Sequence, residues 1–321
     1  MLGWWSSHER RSSESKPGAS PLRLPALIQH RIDVAAHGLL QPSNGPAIDF
    51  SQPCGEEALI AYDSVSWRVF KNPVALFVGG VAAVILELAE PRVRSGVWDH
   101  SSFRTEPVKR LQRTGLAAMI TVYGARSVAE AMIGNVVRLH ERISGQTPDG
   151  TAYRANDIDL LNWVQATASF GFVEAYRRYV YPLSVEEVDR FYAEAVPGAR
   201  LYGARNAPTS DAERHVLFEA MRPRLEASPV VLEFLEIMRQ APAFPRPLRP
   251  LQRMLIRAAV NVTPGWARDL LGLTAKHGLR AWERPLVQRA GSLSDRLLLP
   301  SSPAVQSCLR LKLPGDYLYR K

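Results

Sequence analysis

From Val74 to Leu86 every residue is apolar or glycine, and the run stops at Glu87. A bilayer span needs about 20 such residues, so this segment is too short to cross a membrane. A helix that is apolar all round has to be buried on every side. The chain must therefore supply other helices to surround it. Gly79-Gly80 in the middle of the run suits close approach of one of those helices.

The rest of the chain is consistent with that demand. Apolar residues recur at helical spacing from about residue 22 onward, with almost no sustained alternation of period two. Helices are expected over 56–70, 74–89, 107–123, 127–143 and 157–179. Asn72-Pro73, Pro91, Pro107, Gly124 and Gly145 punctuate them. Ser184 and Glu187 have the spacing of a capping box for the next helix. Pro197, Gly198, Gly203 and Pro208 read as a loop over 197–209, and two further helices are expected around 251–261 and 264–289. The sum is an all-α protein of about ten helices in one compact domain over 21–290. A polar, disordered tail precedes it at 1–20, and a Leu-, Pro- and Ser-rich extension follows at 291–321.

The chain is basic, with 40 Lys and Arg against 31 Asp and Glu, a formal net charge of +9. The basic residues are scattered rather than striped, and no zinc-finger spacing or RNA-binding signature accompanies them. Nucleic acid is therefore not an expected partner, whereas peripheral contact with an anionic membrane is. Cys54 and Cys308 have no metal-type spacing and do not suggest a disulfide framework. No apolar core of signal-peptide length opens the sequence, so the expected location is cytoplasmic. The absence of Cys-x-x-Cys-His excludes covalent c-type haem.

Several residues could carry chemistry. Arg110 and Thr114 are four apart and share a helix face, with Arg113 at its edge. They read either as a cationic clamp with a hydroxyl, suited to a carboxylate or propionate, or as solvent-facing arginines at a helix start. His140 follows Ile133, Val136 and Val137 on an apolar face, so it is a metal or haem ligand or a core histidine with one hydrogen bond. Gln165 interrupts the stripe Leu161, Ala168, Phe172; it either braces a neighbouring helix or contacts a ligand. Asp99-His100-Ser101 cannot adopt triad geometry on one short segment, and no Gly-x-Ser-x-Gly elbow is present. His30, His37, His215 and His277 show no ligand spacing.

Read in order, a set of short motifs resembles the family of mpaB-type and latex-clearing (rubber) oxygenases. They are Ser64-Val-Ser-Trp-Arg-Val-Phe70, Leu86-Glu-Leu-Ala-Glu-Pro91, Gly96-Val-Trp-Asp-His-Ser-Ser-Phe103, Arg110-Leu-Gln-Arg-Thr114, Val137-Arg-Leu-His140, Pro148-Asp-Gly150, Leu161-Asn-Trp-Val-Gln-Ala-Thr167, Pro182-Leu-Ser184 and Pro264-Gly-Trp-Ala-Arg268. The resemblance implies a globin-like helical core with a non-covalent haem b. It also implies an oxygenase that uses O2 on an apolar isoprenoid or lipid-like substrate, with oxidative cleavage of carbon–carbon double bonds. It makes His140 the proximal ligand, and Arg110, Arg113 and Thr114 pocket residues. Many members carry histidine where this chain has Gln165, and His-Pro where it has Glu90-Pro91. Gln165 then falls in the cofactor pocket, and Glu90 becomes a candidate base on the distal side. A helical haem- or lipid-binding protein without turnover is the alternative expectation.

Overall fold

The computed structural model describes residues 48–320 together with Pro21, Leu22, Gln29 and Asp33, so the tail expected at 1–20 lies outside the described residues. Among the described residues the chain builds thirteen α-helices and one two-stranded hairpin. The first five helices are α1 (Val65–Phe70), α2 (Pro73–Glu87), α3 (Pro91–His100), α4 (Pro107–Tyr123) and α5 (Arg126–His140). The antiparallel hairpin β1 (Ser144–Gln146) and β2 (Ala152–Arg154) follows, paired about Gly145 and Tyr153. Then come α6 (Ile158–Tyr179), α7 (Val185–Tyr202), α8 (Asp211–Met221), α9 (Pro229–Gln240) and α10 (Arg249–Val262). The last three are α11 (Gly265–Leu270), α12 (Glu283–Asp295) and α13 (Pro303–Arg310). The all-α class expected from the sequence is the class observed.

Local chemistry sets the helix starts. Proline occupies the first turn of α2, α3, α4, α9 and α13, where its missing N–H costs nothing. Asn72 accepts from Ala75 N at 3.0 Å, and Ser184 and Glu187 form the expected capping box of α7.

Three expected boundaries differ. Residues 56–64 do not join α1, because their polar groups are committed elsewhere. Ala58 bridges to Ala125, Glu56 accepts from Ser127, and Ile60 O accepts from Trp67 Nε1 at 3.0 Å. Ser64 then caps α1 at Trp67 N. The loop expected over 197–209 is shorter, since α7 runs through Pro197 to Tyr202 and ends at Gly203 in the left-handed region, φ 98°. The helix expected over 264–289 is two helices, with Asn261 Oδ1 accepting from Leu279 N at 2.9 Å to hold the segment between them.

α2 packs along α6 more extensively than any other pair. The reason is at Gly79 and Gly171: a Cβ on Gly79 would lie 2.7 Å from Gly171 O, and a Cβ on Gly171 would collide with Gly79 O. The two backbones touch. α10 and α12 cover further faces of α2, and α7 packs on α1 and α6. One hydrophobic cluster runs from Phe50 to Cys308. The expected break at 290 falls inside α12, and α13 enters the core, where buried Arg310 donates to Glu56 O, Phe50 O and Tyr123 O at 2.7–2.8 Å.

Among the described residues no single helix is long and apolar enough to cross a membrane. α2 and α3 pass such a test only together, and they are bent by 113° where they meet.

Candidate functional site

The end of α2, the start of α4 and the end of α5 converge around one guanidinium. Arg110, in the first turns of α4, interacts electrostatically with Glu87 from α2 and with His140 from α5. Burial disfavours charge on all three. It pushes the Glu87 carboxyl up to about 7, against the lowering effects of Arg110 and of the Thr167 hydroxyl on α6. Burial lowers the Arg110 pKa, the Glu87 carboxylate raises it, and Arg113 lowers it. Burial, then the charge of Arg110, lowers the His140 pKa, while the Asn156 side chain opposes them. The two lowering effects favour the neutral ring. Glu87 is enclosed by protein yet keeps part of its surface accessible, as do Arg110 and His140. All three are half-buried rather than sealed in packing.

Two buried polar atoms near His140 have no hydrogen-bond partner: its own Nδ1, and Oδ1 of Asn156. The Asn156 amide is anchored by donating to Val137 O at 3.2 Å, one turn before the histidine. A weak hydrogen-bonding influence of that amide favours the protonated ring, although the two side chains fall outside full bonding geometry. A donor and an acceptor side by side, both unsatisfied, are a pair ready to form.

The other predicted residues are placed as follows. Arg110 donates to Thr114 Oγ1, which itself donates to Arg110 O at 2.9 Å, so the pair is joined along one face of α4. Arg113 is exposed and donates to Ser102 Oγ at 3.0 Å, tying α4 to the segment before it. Gln165 donates to Ser169 on its own helix at 3.2 Å. Glu90 is 2 % exposed, but its oxygens accept from Val93 N and Arg92 Nε, both at 2.8 Å. Those bonds make it the N-cap of α3 and half of an ion pair. The carboxyl that interacts electrostatically with Arg110 is Glu87, three residues earlier. The signal for it was the single ionisable residue closing the apolar run. Among the described residues no three His, Cys, Asp or Glu side chains gather as a multi-ligand metal site.

Fold and site together define a class: an all-α protein that gathers a half-buried imidazole, guanidinium and carboxyl from three different helices. The chain belongs to the family described as ER-bound oxygenase mpaB/B'/Rubber oxygenase, catalytic domain, which matches residues 67–293. The match takes in Glu87, Arg110, Thr114, His140 and Thr167. No curated protein and no solved structure matches the chain.

Proposed function

We propose that this member of an oxygenase family binds a non-covalent haem b in a globin-like core and uses O2 to oxidise an apolar, isoprenoid or lipid-like substrate at a carbon–carbon double bond. One observation carries the reading: a half-buried histidine whose surroundings favour the neutral ring, with an unsatisfied ring nitrogen, near a guanidinium and a carboxyl whose pKa is pushed up to about 7. A neutral imidazole is a side chain that could hold haem iron. Donation of Nδ1–H to Asn156 Oδ1 would fix the tautomer and leave Nε2 for the metal. The donor set fits haem better than a non-haem metal ion, because a single protein nitrogen suffices.

Haem, when bound, supplies the activation of O2. The chain's own residues supply the rest. His140 would hold the iron. Arg110, with Thr114 attached to it and Arg113 at the rim, would hold propionates or order the polar side of the pocket. Glu87 would hold or release a proton at its carboxyl oxygens near neutral pH, and the nearby Thr167 hydroxyl favours its ionised form.

Oxygen uptake by the haem-loaded protein with an isoprenoid substrate tests the catalytic claim. Uptake that drops about a hundredfold in Glu87→Gln with haem retained is the expected result. The second reading, a haem- or lipid-binding protein without turnover, draws on Gln165, whose amide turns back to Ser169 where many relatives place a histidine. Full haem loading without any uptake would establish that reading and reject the first.

A further inference from the structure

α12 buries Val287 and turns its acids inward, yet leaves a second set of apolar side chains facing outward. Glu283 is 1 % exposed and paired with Arg257, and Asp295 pairs with Lys71 at 3.3 Å. Trp282, Leu286, Arg289 and Leu293 follow at helical spacing and share one face. The three apolar members are 58 %, 39 % and 52 % exposed. Gln288 and Ser292 fix the helix against the end of α6 by donating to Arg178 O and Val180 O, each at 3.2 Å. Tyr181, the next residue, is also exposed and extends the apolar face. Arg280, Arg284 and Arg289 are exposed and form no salt bridge among the described residues.

We propose that this face docks the protein on an anionic lipid surface. Trp and Leu on an outward stripe, with arginines among and beside them, are the composition of a helix lying in a membrane interface. The charge decides between occupants. A two-fold contact with a second copy would set Arg289 against arginines with no acid in the stripe to answer them. The chain's own residues 1–20 carry Arg10, Arg11 and Lys16 against Glu9 and Glu14, so they offer no net negative charge either. Lipid phosphates and carboxylates do.

The test is flotation of the full-length protein with phosphatidylserine–phosphatidylcholine vesicles, beside vesicles of phosphatidylcholine alone. The protein should float with the anionic vesicles only, and less so as salt rises. The variant Trp282→Ala/Leu286→Gln/Leu293→Gln, and separately Arg289→Glu, should each lose roughly tenfold in vesicle affinity. Circular dichroism should be unchanged, since these side chains point outward. A wild-type protein that does not float, that floats equally with neutral vesicles, or whose variants bind like wild type overturns the proposal. Self-association abolished by the same substitutions would assign the face to a second copy and overturn it as well.

Discussion

Arg110 stands between two groups with opposite needs. Its charge helps to keep His140 neutral and draws the Glu87 proton off, while burial pushes that proton back on. The balance leaves Glu87 near 7, above its ordinary 4.5. The folded protein therefore holds the proton more tightly than the unfolded chain, and the group favours folding at acid pH. That contribution is lost as pH rises from about 4.5 through about 7, a loss on the order of 3 kcal/mol. Urea unfolding at roughly pH 5 and pH 8 should show wild type losing stability relative to Glu87→Gln; parallel behaviour of the two proteins would mean that Glu87 titrates normally. Asn156 acts on the other side of the histidine. Asn156→Ala should weaken haem binding about 10–100-fold, read by transfer of haem to apomyoglobin, and unchanged transfer would remove the amide from the site.

The elements carry their own record of what the sequence shows. α4 was readable to the residue, because Pro107 opens its first turn and Gly124 closes it, and the tertiary bonds at Tyr123 O are compatible with that end. α1 was not, because the polar groups of 56–64 are claimed by residues far away in the chain. Pro197 misled for a related reason: proline removes one donor, which the helix loses without breaking. The carboxyl of the site was missed by one turn, since rotational phase at the end of α2 is set by packing on α6. That packing gives a sharp prediction. Gly79→Ala must place its Cβ 2.7 Å from the Gly171 backbone, whereas Gly80→Ala meets only Phe172 Cε1 at 3.9 Å. Gly79→Ala should cost about 1–3 kcal/mol, and Gly80→Ala should be neutral or gain up to about 1 kcal/mol. Thermal denaturation of the two variants checks this; equal effects would mean that α2 and α6 are not in backbone contact.

At the scale of the whole molecule, the two ends of the described chain close over one core. Arg310 joins Phe50, Glu56 and Tyr123 through their carbonyls, so α13 belongs to the fold that carries the site. Arg310→Met should destabilise by about 3 kcal/mol or more, because it leaves buried carbonyls without donors. A near-neutral effect in urea unfolding would detach α13 from the core. The motif order was legible in the sequence because its residues lie on successive helices; the convergence of Glu87, Arg110 and His140 was legible only in part, because it depends on how those helices are packed. The central claim is that this convergence holds haem through His140. The absorption spectrum of the protein purified with haem precursor tests it most directly, before and after dithionite and carbon monoxide, beside His140→Ala. A Soret band that shifts on reduction and carbon monoxide binding, and is lost in His140→Ala, is the predicted result. A colourless wild-type protein that cannot be reconstituted, or a variant with the same spectrum and full haem, would contradict it.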